Sequence, residues 1–236
     1  MKNKVKNKKK EGRQVHSLSN LAALLLLFFG GAALWGSEAG DLKIQENSRE
    51  TVSHLTAKKI KENEKKKASY DFKKVKELTN ADKLEKENKS TSGAIGIISV
   101  PSVKMTLPVM KGLSNYAMTT GGGTMREDMQ MGKGNYALAG HYMTNKGELF
   151  EPVERIKKGS KVYLTDLKKV YSYKVYWKKV VAPTAVYLTE DTKKPIVTLI
   201  TCADGGKNRW AVRGKLVKTE KAENGNLDVF KNENEN

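Results

Sequence analysis

Residues 94–218 predict an all-β domain, a barrel or a sandwich, and three observations carry that expectation. Apolar residues, 38% of the 236-residue chain, gather there in short β-branched and aromatic runs. Turn-forming residues separate those runs, and helical periodicity within the stretch is brief. The first run, 94–100, is Ala-Ile-Gly-Ile-Ile-Ser-Val, and the second, 103–110, carries Val103, Leu107 and Val109. Segment 135–141 alternates Tyr136 and Leu138 with Ala137 and Ala139, and 161–165 repeats the alternation around Val162 and Leu164. A long strand follows at 170–181, then a near-continuous β-branched strand at 196–202, then an alternating strand at 209–217. Helical signals near 114–119 and 148–156 read as connectors.

The rest of the chain is polar or hydrophobic in blocks. Lys and Arg total 44 against 26 Asp and Glu, a formal net charge of +18, of which +6 falls on residues 1–36 and +12 on residues 94–218. Lys2, Lys4, Lys6, Lys8, Lys9, Lys10 and Arg13 run into an uncharged stretch that contains Leu24 to Phe29. A basic flank before an apolar run keeps the N-terminus cytoplasmic and sends the downstream chain across the membrane. The expectation is a cytoplasmic segment at 1–16, a short transmembrane anchor at 17–36 and an extracellular remainder. A cleaved signal peptide is the rival, since Ser37-Glu38-Ala39 offers small residues; the length of the apolar run favours the anchor. The basic cluster is topogenic, so nucleic-acid binding is not expected. Residues 37–93 are Lys/Glu-rich with sparse apolar positions and read as a polar stalk. Ser90-Thr91-Ser92-Gly93 closes it. The Asn/Glu-rich residues 219–236 read as a disordered tail.

One cysteine excludes an internal disulfide framework, and with three histidines it leaves too few soft ligands for a structural zinc site. Of the histidines, His16 lies in the basic flank, His54 in the stalk and His141 in the β domain. The strand period puts Ala137, Ala139 and His141 on one face, where small neighbours leave room beside the imidazole. Cys202 ends the strand 196–202 and is followed by Ala203-Asp204-Gly205-Gly206, a turn. A lone cysteine is commonly a small buried hydrophobe. In an exported chain, an oxidisable thiol at a strand end points instead to use of the thiolate. On the next strand Arg209, Ala211 and Arg213 share one face, with Trp210 and Val212 on the core side. A hairpin through Gly205-Gly206 brings Arg209 beside the thiol, where a fixed guanidinium charge suits a thiolate or a developing oxyanion.

Thr198-Leu199-Ile200-Thr201-Cys202 resembles the TLxTC signature of sortases. Ala137-Leu138-Ala139-Gly140-His141 resembles their histidine segment, and Arg209-Trp210-Ala211-Val212-Arg213-Gly214 their arginine strand, in the same order. The resemblance covers about residues 94–218, and the N-terminal anchor and stalk resemble the housekeeping, class A branch. It implies an eight-stranded β-barrel transpeptidase on the outer face of a Gram-positive membrane. Such an enzyme cuts LPxTG-type sorting signals between Thr and Gly and passes the surface protein to an amine of a peptidoglycan precursor, lipid II.

By the same resemblance Cys202 is the nucleophile, His141 the acid/base and Arg209 the group that stabilises charge, with a thiolate–imidazolium pair as the active form. The arginine of the pattern stands five residues before a glycine, Gly214, which selects Arg209 over Arg213. Substrate contacts carried over by position are Ala139, Ile200, Thr201 and Ala211 near the catalytic groups, and Val181, Pro183 and Val186 in the preceding loop. No cofactor is implied. Some class A relatives bind calcium ahead of the histidine strand, but here Arg126, Met129 and Lys133 occupy that stretch beside Glu127 and Asp128. Two carboxylates are a thin set for an ion that takes six to eight oxygens, so no calcium requirement is expected. The aromatic lid of pilus-building relatives has no counterpart in residues 80–100, which contain no aromatic residue. The alternatives are a pilin-polymerising sortase or sortase-fold peptidase, or a non-catalytic basic domain that binds anionic cell-wall polymers.

Overall fold

The computed structural model describes residues 44–71, 93–143 and 147–231. The basic segment and the apolar run predicted as an anchor lie outside the described residues. Among the described residues no helix is long and apolar enough to cross a membrane.

Eight strands close into a barrel in the spatial order β1-β2-β3-β4-β7-β8-β6-β5. β1 (Ala94–Val100) turns through Pro101–Val103 into antiparallel β2 (Met105–Met110). A short helix, Asn115–Thr120, leads to β3 (Gly122–Thr124), which lies parallel to β2 and antiparallel to β4 (Asn135–Ala139). β5 (Lys161–Thr165) pairs with β1 to close the barrel and with the long β6 (Lys169–Val181). β7 (Ile196–Ala203) runs parallel to β4 and antiparallel to β8 (Asn208–Lys221), which also pairs along β6. Seven of these strands correspond to predicted segments. β3 is only Gly-Gly-Thr, too short and too poor in side chains to register as a strand.

The strand period sorts the side chains as the sequence implied. Tyr136 and Leu138 of β4, Val197 and Leu199 of β7 and Val212 of β8 enter the main core, with Trp210 packed against it. The opposite parity of β4, β7 and β8 carries the residues of chemical interest.

Two polar regions prove more ordered than their composition suggests. Within the stretch read as a stalk, helical residues 44–53 and the helix Ala57–Asn63 lie against the barrel. Ile44 and Ile60 are buried, Ser48 Oγ donates to the Thr120 carbonyl and Asn63 Nδ2 to that of Ala94. Of the segment 219–236 expected to be disordered, the described residues 219–231 are ordered. β8 extends to Lys221, a helical turn follows at Asn224–Leu227, and Phe230 is buried against Ile97 and Val170. Ser99 Oγ donates to the Val229 carbonyl at 2.7 Å. One docked phenyl ring contributes about 2 kcal/mol, which average composition conceals.

Candidate active site

The β7–β8 hairpin sets the first pair of groups. Asp204, Gly205 and Gly206 all adopt positive φ, at 52°, 62° and 88°, and this left-handed turn is why two glycines follow the cysteine strand. Asn208 Nδ2 ties the turn by donating to Asp204 Oδ2 at 2.7 Å. The resulting register pairs Ala203 with Asn208 and Cys202 with Arg209 as direct neighbours across the ladder. Arg209 is in turn opposite Val181 on β6, so Cys202, Arg209 and Val181 line up across three strands. Cys202 is a free, partly exposed thiol. The Arg209 guanidinium donates to the carbonyls of Gly206 at 2.6 Å and Asn208 at 2.8 Å, which holds it against its own hairpin.

His141 reaches the same end of the barrel because β4 and β7 are parallel. Their register pairs Ala139 with Ile200, so His141 and Cys202 each follow that pair by two residues at the same end of the barrel. Gly140 N donates to the Ile200 carbonyl at 3.2 Å, and Thr201 Oγ1 donates back to the Gly140 carbonyl at 2.8 Å. Phe150, which sequence reasoning left inside a connector, is the brace behind this segment. Its ring lies so close to Gly140 that a Cβ there would stand 2.2 Å from Phe150 Cδ2, and its N–H donates to the His141 carbonyl at 3.0 Å. The glycine before the histidine was the available signal.

Burial pushes the His141 imidazole down from 6.5 to about 4, so it is neutral near pH 7. Its Nε2 is buried without a hydrogen-bond partner among the described residues. This differs from the imidazolium implied by resemblance. Burial is the cause of the shift, and among the described residues no acidic group offsets it.

The predicted substrate contacts divide. Ala139, Ile200 and Ala211 are buried small or apolar groups, each two residues along the chain from His141, Cys202 or Arg209. Thr201 has the inward parity and spends its hydroxyl on Gly140, so it braces the histidine segment rather than facing the groove. Val181 packs against Leu188, Ile200 and Ala211, while Pro183 and Val186 are exposed, Val186 at 70%. Arg213, four residues beyond Arg209, is paired with Thr198 and donates to the Leu188 carbonyl at 3.1 Å. It is therefore engaged with the loop before β7 rather than free in solvent. Among the described residues no group of three or more His, Cys, Asp and Glu side chains is placed to hold a metal ion.

A barrel that brings a lone strand-end thiol, an imidazole and a guanidinium to one rim defines a thiol-dependent acyl-transfer enzyme. Comparison with known proteins makes the class specific. The sortase domain profile matches residues 98–217. The chain is 40% identical over 179 residues to sortase A of Listeria monocytogenes, spanning 74% of this chain and 80% of that protein. It is 38% identical over 224 residues to sortase A of Streptococcus agalactiae, spanning 91% of each. The crystal structure of the Listeria monocytogenes enzyme superposes with a TM-score of 0.56 at 42% identity, covering 58% of this chain and 97% of that one. The chain belongs to the sortase family, in its class A branch, and is a cysteine transpeptidase.

Proposed function

We propose that this enzyme cleaves LPxTG-type sorting signals of surface proteins between Thr and Gly and joins the Thr carbonyl to an amine of a peptidoglycan precursor such as lipid II. The observation that carries the reading is the register that sets Cys202 against Arg209 at the end of the strand lying parallel to the histidine strand.

The imidazole of His141 enters the reaction neutral. His141 takes the thiol proton as Cys202 Sγ attacks the Thr carbonyl carbon, giving a tetrahedral oxyanion. Arg209 stabilises that charge once its guanidinium is recruited from the hairpin carbonyls. Collapse of the oxyanion breaks the C–N bond, and His141 returns the proton to the departing glycine amine. The thioacyl-enzyme is then attacked by the acceptor amine, whose proton passes to His141 and on to the released thiolate. The cycle returns Cys202 as thiol and His141 as neutral imidazole, and no redox step occurs.

Val181, Pro183 and Val186 are proposed to meet the Leu-Pro part of the signal over the floor made by Ala139, Ile200 and Ala211, where apolar contacts suit apolar side chains. Turnover is proposed to need no calcium. Arg126 Nε donates to Asp128 Oδ1 at 3.0 Å and its Nη2 lies 3.6 Å from Asp191 Oδ1, so a guanidinium already balances the carboxylates there. The uncharged run before residue 36 supports a membrane anchor, with the N-terminus cytoplasmic and the barrel outside.

The test is mass spectrometry of the full-length chain in detergent with an LPxTG peptide, with and without an added oligoglycine amine. A thioester on Cys202 and amine-dependent product are expected. Product formed only by water would replace transpeptidation with the peptidase alternative.

A further inference from the structure

The loop between β6 and β7, residues 182–195, is long for a connection that carries only one 3-10 turn, Val186–Leu188. Arg126, Arg213 and Asn135 all donate to its carbonyls, and the most buried of the three stands at the far end of the histidine strand. Asn135 opens β4 and is 1% exposed. Its Nδ2 donates to the carbonyls of Leu188 and Glu190, both at 2.8 Å. Its Oδ1 accepts from Thr198 Oγ1 at 2.7 Å, and its main-chain N–H donates to Asp191 Oδ1 at 2.9 Å. Two carbonyls on one side and a hydroxyl on the other fix which end of the carboxamide is nitrogen. A buried amide satisfied in this way makes a rigid joint.

The joint leads toward the active site. The Leu188 carbonyl also accepts from Arg213 Nη2, so β4 and β8 grip the same atom. The Leu188 side chain, 1% exposed, packs on Ile200 and Ala211, each two residues from a catalytic group along its strand. Val186 stands two residues before this plug.

We propose that Asn135 is a positioning residue for substrate recognition: through the carbonyls of Leu188 and Glu190 it holds the 182–195 loop, and with it Val186, in the conformation that grips the peptide. It touches neither the peptide nor the reacting atoms. The inference rests on the assignment of Val181, Pro183 and Val186 to the sorting signal. Its consequence is that recognition of the signal depends on a buried amide at the opposite end of β4 from His141.

The experiment compares wild type with Asn135→Asp and Arg213→Gln, each as full-length chain in detergent. Asn135→Asp keeps the shape and turns two donors into acceptors facing carbonyls. Three quantities are read: steady-state kinetics on an LPxTG peptide, the rate at which iodoacetamide alkylates Cys202, and hydrogen exchange of amides 185–191. In Asn135→Asp, KM should rise about tenfold, the size of one to two lost buried hydrogen bonds. Its kcat should hold within about threefold, and exchange in the loop should accelerate. Alkylation should stay within about twofold of wild type, because a small reagent needs no loop; a merely structural lesion would move alkylation and KM together. Arg213→Gln, which weakens the outer grip on the same carbonyl, should raise KM about threefold, and it decides the matter if Asn135→Asp fails to fold. Unchanged KM and unchanged loop exchange in the folded variants overturn the proposal. If wild type does not cleave the peptide, the substrate reading has failed, while faster loop exchange in the variants would still show that Asn135 holds the loop.

Discussion

The β7–β8 hairpin and the 182–195 loop both start at the rim that carries Cys202 and Arg209, and they are held by different bonds. The loop then runs to the opposite end of the barrel, where β7 begins beside Asn135. The hairpin positions Cys202 and Arg209 by main-chain register, a ladder that continues through Ile200–Ala211 and Thr198–Arg213. The loop is held by side chains reaching its carbonyls, from Asn135, Arg126 and Arg213. Ladder bonds survive most side-chain substitutions, because the backbone supplies both donor and acceptor. A loop held by three side chains does not have that insurance. The consequence is that changes at the hairpin should report on chemistry, and changes around the loop on recognition.

The largest expected effect is at Cys202. Cys202→Ala should show no thioester by mass spectrometry and no transpeptidation, with the fold intact because the ladder does not depend on the thiol. Undiminished cleavage would remove the hairpin from the chemistry altogether. Next is His141→Ala, expected to lower kcat/KM at least about 100-fold, the usual scale of general acid–base catalysis. A loss of only a few-fold would mean that another group moves the proton.

The two arginines sharpen the comparison most directly, since they share one strand face. Arg213 lies about 13 Å further along β8 than Arg209 at about 3.3 Å per residue. Arg209→Ala should cost on the order of 10²–10³-fold in kcat, as loss of an oxyanion-stabilising donor does. Arg209→Lys should recover little, because a point charge does not reproduce the planar fork. Arg213→Ala should remain within a few-fold of wild type and act on KM. Kinetics showing the reverse order would pass the charge-stabilising role to Arg213.

A smaller effect concerns pH. His141 has a native pKa lowered by burial from 6.5 to about 4, so between those values the unfolded chain binds a proton that the folded one refuses. Its contribution to stability is therefore complete above about pH 6.5 and is lost as pH falls toward 4. The acid limb of kcat/KM should likewise lie below 6.5, and an imidazole titration followed by NMR checks both. A titration midpoint above about 7 would restore the imidazolium form near neutral pH. The smallest expected effect is none: a chelator should leave turnover unchanged, as Arg126 already pairs with Asp128 and Asp191. Loss of activity on chelation with recovery on adding calcium would show that the loop is held by a metal.

Much of the site could be read from the sequence because strand parity is local. A β-branched run closed by the turn at Asp204-Gly205-Gly206 put Cys202 at a strand end beside Arg209, and alternation put Arg209, Ala211 and Arg213 on one face and Trp210 and Val212 on the other. The single thiol left one candidate nucleophile. Tertiary structure alone decided the rest. It set the parallel pairing of β4 with β7, across some sixty residues, that carries His141 to the thiol, and it gave Phe150 its place behind Gly140. It also fixed the depth of burial that keeps His141 neutral and the use of Asn135 to hold a loop more than fifty residues away. The physical reason is range. A two-residue period is written into neighbouring side chains, whereas burial and long-range pairing depend on what the closed barrel packs around each group, and no local pattern carries that information.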